Sequence, residues 1–81
     1  MKQDRVGQLF LLDHGSGHVS YRLVVGSQAV APGRRPVWLL AVISHHSDGA
    51  SSVFERRDTD EKLAFWDECS RFGTGNITRV L

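Results

Sequence analysis

Val37-Trp38-Leu39-Leu40-Ala41-Val42-Ile43 is a run of seven apolar residues with no polar interruption. Its length and its β-branched and aromatic content fit a strand, and the lack of alternation is the pattern of a strand covered on both faces. Pro36 bounds it on one side. On the other lies His45-His46-Ser47-Asp48-Gly49, where Asp48-Gly49 suits a tight connection because both residues tolerate positive φ. This run is therefore expected inside a sheet, with neighbours on both sides.

Working outward, the segment from His18 to Gly26 alternates, with Val19, Tyr21, Leu23 and Val25 pointing one way and Ser20 and Arg22 the other. That pattern predicts a strand whose Val19-to-Val25 face is core. Val6 to Leu12, carrying Leu9-Phe10-Leu11-Leu12, reads as the strand before it, and Asp13-His14-Gly15-Ser16-Gly17 supplies the hairpin turn. Gly26 to Pro36 reads as a long loop, since Pro32 and Pro36 would interrupt a ladder. Downstream, Ala50 to Arg57 has Val53 and Phe54 as its only large apolar residues and suits an exposed edge strand.

Asp58 is the expected helix N-cap, with Glu61 three positions on as in a capping box and Asp60 adding negative charge to the first turn. Phe65, Cys69 and Phe72 fall on one helical stripe, flanked by Trp66 and Leu63, and Gly73 is the expected stop. Ile77 to Leu81 can add a short fifth strand. The order is ββββα(β): one α+β domain over residues 1–81, a four- or five-stranded, mainly antiparallel sheet with a C-terminal helix on one face.

One helix covers one face of such a sheet, yet strand three offers Val37, Leu39, Ala41 and Ile43 on one side and Trp38, Leu40 and Val42 on the other. Two arrangements answer this. The sheet closes into a small β-barrel capped by the helix, or it stays open and buries its second face against another chain. The face assigned to a partner comprises Leu9, Leu11, Val24, Trp38, Leu40 and Val42. A third option leaves Trp38 beneath the Ala29 to Pro36 loop.

Composition limits the function classes. Apolar residues make up 41% of the chain, too many for a disordered segment, and a formal charge of +1 provides no strong field for nucleic acid or anionic membrane. The lone Cys69 cannot form an internal disulfide, which favours a reducing compartment. Met1-Lys2-Gln3-Asp4-Arg5 leads into too short an apolar run for a signal peptide, so a soluble, cytoplasmic protein is expected.

Four histidines, in the groups His14/His18 and His45/His46, lie at strand ends beside Asp13 and Asp48. A metal set of His14, His18, His45 and Asp48 is the sharpest chemistry available, and a nuclease-like acid–base pair with Arg34 or Arg35 holding phosphate is its enzymatic variant. Solvated turn histidines are the plainer expectation. The doublets Arg34-Arg35 and Arg56-Arg57 suggest a basic patch for nucleic acid, although no aromatic series accompanies them. Cys69, between two phenylalanines, reads as a buried thiol rather than a nucleophile.

No phosphate loop, nucleophile elbow, HExxH helix or CxxC pair occurs, and no catalytic residue or cofactor is assigned. The expected function is a non-catalytic interaction or regulatory module that self-associates or binds another protein through the apolar sheet face.

Overall fold

The structure is a computed structural model describing residues 4–81, so Met1 to Gln3 of the N-terminal segment lie outside it. Five strands and one helix follow in the order β1 (Leu9–Gly15), β2 (His18–Gln28), β3 (Val37–His45), β4 (Ser51–Asp58), α1 (Asp60–Phe72) and β5 (Ile77–Arg79). They form one antiparallel sheet with spatial order β4-β3-β2-β1-β5. The sheet is open, with β4 and β5 at its edges, so the closed barrel is not the arrangement adopted.

The β1–β2 turn has its two loop residues, Ser16 and Gly17, at φ 54° and 78°. Positive φ at both positions is the primed turn that follows the twist of a hairpin. β1 runs on through Asp13 and His14 with a bulge before Gly15, so its strand ends later than its turn-like composition suggested. β2 carries a second register shift between Val24 and Gly26.

The helix begins one residue later than expected. Asp58 belongs to β4, paired with Trp38, and its carboxylate is held by Arg56 at 2.6 and 2.9 Å. Thr59 takes the extended conformation of the N-cap, and its hydroxyl accepts the Lys62 N–H at 3.2 Å. At the other end Gly73 adopts the left-handed conformation, φ 68°, and donates its N–H to the Cys69 carbonyl.

Strand pairing decides which side chains the helix meets. The core is Phe10, Val24 and Leu40 from the sheet, Leu63, Trp66 and Cys69 from α1, and Ile77 from β5, with Leu12 and Trp38 packed against it. The helix is thus rotated from the expected stripe: Leu63, Trp66 and Cys69 point inward, while Phe65 and Phe72 are exposed. Trp66 sets its ring edge-on to Phe10, centroids 5.4 Å apart.

The two faces of the sheet are also exchanged relative to expectation. On β2 the covered side is Ser20, Arg22 and Val24, whereas Tyr21, Leu23 and Val25 are exposed. On β3 the covered side is Leu40, Val42 and Ser44, with half-buried Trp38 on the same side. Of the six residues assigned to a partner, Val24, Leu40 and Val42 are buried and Trp38 reaches the helix, leaving Leu9 and Leu11 on the open side.

Arg5 locks the N-terminal segment onto the helix. The residue is 4% exposed, and its guanidinium donates to Asp60 at 2.9 Å, Asp67 at 2.8 Å and Gln8 at 3.1 Å. Those two carboxylates outweigh the opposing effect of burial, so its pKa is raised further.

Candidate functional site

Two regions stand apart from the core: the open face of the sheet and the histidine cluster at one end of the covered face.

On the open face, register aligns Leu11, Tyr21, Ile43 and Val53 in one line across β1, β2, β3 and β4. The next line is Leu9, Leu23, Ala41 and Glu55. Tyr21 is 37% exposed, Leu23 37%, Ile43 42% and Val53 73%. Charge lies around this band rather than inside it: Asp13 at one strand end, and Glu55 and Arg57 on the edge strand, where Arg57 donates to Gln28 at 2.7 Å. Alternation identifies such a set in β2, but whether it faces a helix or solvent depends on the helix's position.

At the far end of the covered face the histidines do meet, in a combination different from the expected one. His14 and His18 stack with centroids 4.4 Å apart, and His18 stacks on His46 at 4.5 Å, with 22° between planes at both steps. His45 projects to the opposite face, where it contacts Ser51 at 2.8 Å and sets its ring edge-on to Tyr21. Asp48 stays in the β3–β4 turn and accepts the Ala50 N–H at 2.9 Å. The physical reason is the period of two: His46, not His45, shares the face of Ser44 and therefore of Ser20 and His18.

Nearly parallel rings set their nitrogens side by side instead of aiming them at one point. Accordingly, among the described residues no group of three His, Cys, Asp or Glu side chains is placed to hold a metal ion. His14 Nε2 lies 2.8 Å from Ser20 Oγ and His46 Nε2 3.4 Å from Ser52 Oγ. His18 Nε2 is buried without a partner. Burial foremost, then the charges of His18 and Arg22, hold the His14 imidazole below its ordinary pKa, with Asp13 pulling the other way.

Beside the cluster, Arg22 lies over the Trp66 ring at 4.9 Å and Arg56 at 5.8 Å. Arg22 has a buried Nε without a partner, and burial, then the neighbouring Arg56, lowers its pKa against the pull of Asp58. The arginine doublets do not make one patch. Arg56 turns to the covered face and is bound by Asp58, Arg57 turns to the open face, and Arg34 and Arg35 sit in the loop before β3, with Arg35 3.5 Å from Glu61. Cys69 is buried in the core, 3.4 Å from where a Cβ on Gly75 would lie. Among the described residues no helix is long and apolar enough to cross a membrane.

Compared with protein families, curated proteins and solved structures, the chain matches none.

Proposed function

We propose that this protein is a non-catalytic interaction module that self-associates through the open face of its sheet, two copies packing face to face. The observation that carries the proposal is the uncharged band Leu11, Tyr21, Ile43, Val53, extended by Leu9, Leu23 and Ala41, lying on the side away from the helix.

Area supports a second copy as the occupant. Four strands about 4.8 Å apart and about seven residues long give a flat face of roughly 450 Å² before side-chain relief is counted, with the apolar band over roughly 250 Å² of it and Asp13, Glu55 and Arg57 at the rim. Apolar patches of a few hundred Å² are often functional, and a polar rim of this kind is typical of a contact surface. Two such faces together bury roughly 1,000–1,500 Å² once relief is included, which reaches the range of specific interfaces. Sheets of this kind pack about 10 Å apart with strands within about 30° of one another, and one patch serves both sides of a two-fold contact.

Sedimentation equilibrium from micromolar to submillimolar concentration tests this. The expected result is a reversible dimer that Val53→Glu converts to monomer, since Val53 is exposed in the single chain and a charge there is tolerated until a second sheet covers it. A wild-type chain that stays monomeric throughout, or a dimer indifferent to Val53→Glu and Ile43→Glu, overturns the proposal.

A further inference from the structure

The three stacked imidazoles join two different hairpins. His14 and His18 flank the β1–β2 turn, and His46 follows the end of β3 at the start of the β3–β4 turn. The two turns also touch directly, since a Cβ built on Gly17 would lie 3.2 Å from the Cβ of Ser47. The column is therefore a side-chain contact between the two hairpins at this end of the sheet, on the face opposite the one proposed for self-association and independent of it.

We infer that the His14, His18, His46 column is a proton-operated clasp, closed while its rings are neutral and opened by acid at the turn end of the sheet. Neutral imidazoles stack at little cost. Two imidazolium rings with centroids 4.4 Å apart repel one another, and the central ring has no acceptor for a second N–H because its Nε2 is buried and unpartnered.

The surroundings give protonation little help. From β1 the column meets Asp13, whose pull on His14 is attractive; from β2 comes Arg22, which is repulsive. From β4 comes Ser52, a hydroxyl that carries no charge, while Arg56 is engaged by Asp58. In the β3–β4 turn, Asp48 is occupied by the Ala50 N–H, and His45 lies on the other face. From the helix, Trp66 meets Arg22 and Arg56 and presents no carboxylate. The lowered pKa of His14 follows the same balance.

The rest of the sheet has its own support, because the cluster of Phe10, Val24, Leu40, Leu63 and Trp66 contains no group that titrates between pH 5 and 8. Opening should therefore be local. Rows near Val24 and Leu40 stay paired while rows near Ser20 and Ser44 separate.

Amide hydrogen exchange of the full chain at pH 7.5 and 5.0, corrected for intrinsic exchange, tests the clasp. In the wild type, opening at residues 18–20 and 44–46, measured relative to residues 23–24 and 39–41, should rise about tenfold or more on acidification. His18→Phe, which keeps a flat stacking ring but cannot take a proton, should retain protection at pH 7.5 and reduce that rise to less than about twofold. Should that variant fail to fold, His46→Phe at the exposed end of the column should cut the acid-induced rise by more than half. Opening that does not respond to pH in the wild type, or a rise that survives unchanged in the folded phenylalanine variant, overturns the inference.

Discussion

The indole nitrogen of Trp38 donates a 3.0 Å hydrogen bond to Oδ1 of Asp60, tying the start of β3 to the first turn of α1. The same oxygen receives Arg5 Nε at 2.9 Å, so strand, helix and N-terminal segment meet at one carboxylate. The Trp38 hydrogen bond is the main influence lowering the Asp60 pKa; burial opposes it and Arg5 adds to it.

Trp38→Phe keeps a smaller aromatic ring against the core and removes this donor. Because the Asp60 side chain is 44% exposed, the loss should be about 1 kcal/mol rather than the larger value of a buried charge. The acid limb supplies a second readout. With its folded pKa depressed, Asp60 contributes stability that is present above about pH 3.9, its unfolded value, and is lost as pH falls through the lower folded value. Urea midpoints between pH 7 and pH 2 should show a shallower acid loss in Trp38→Phe than in the wild type.

Arg5→Met leaves Asp60 and Asp67 without their buried partner while preserving much of the stem. Breaking such a contact from the buried side should cost about 2–3 kcal/mol, below the full value for a wholly buried pair because both carboxylates retain access to water. Guanidinium unfolding with an unchanged slope would register it, and equal stability of the two proteins would contradict the anchoring role.

The rotation of the helix inverts the order that sequence spacing alone gives to two large apolar residues, Leu63 and Phe65. Leu63→Ala empties a fully buried position and should cost about 2–5 kcal/mol. Phe65→Ala, at a position 55% exposed, should change stability by less than about 0.5 kcal/mol. Thermal melts of the pair distinguish this packing from the stripe centred on Phe65 and Phe72, which would reverse the order.

Gly17 and Gly33 both have positive φ, 78° and 77°, but only Gly17 has a neighbour in the way. Alanine at Gly33 should cost about 1 kcal/mol for the left-handed backbone alone. Alanine at Gly17 meets that cost and also the Ser47 Cβ at 3.2 Å, so it should be the more damaging by a further kcal/mol or so. Equal midpoints would show that the two hairpin turns are not in contact.

Much of the fold is legible in the residues. Ser16-Gly17 and Asp48-Gly49 mark the two hairpins, Gly73 ends the helix, and the thin apolar content of Val53 and Phe54 places β4 at an edge. The helix N-cap lies one residue beyond Asp58, which has the right side chain but whose backbone is committed to pairing with Trp38. Histidine clustering was visible as composition, but the member from the second hairpin was not. The choice between His45 and His46 rests on which one register brings to the face of His18.

By itself the sequence determined the number and order of strands and helix, their ends to within about three residues, and which residues of one strand share a side, because turn chemistry and the two-residue period are local properties. Only the tertiary structure decided which side the helix covers. Both sides of β3 are apolar, so hydrophobicity does not choose between them. The choice follows from packing: Trp66 fits between Phe10 and the guanidinium of Arg22, placing a charged residue of β2 under the helix and leaving Tyr21, Leu23 and Ile43 in the open.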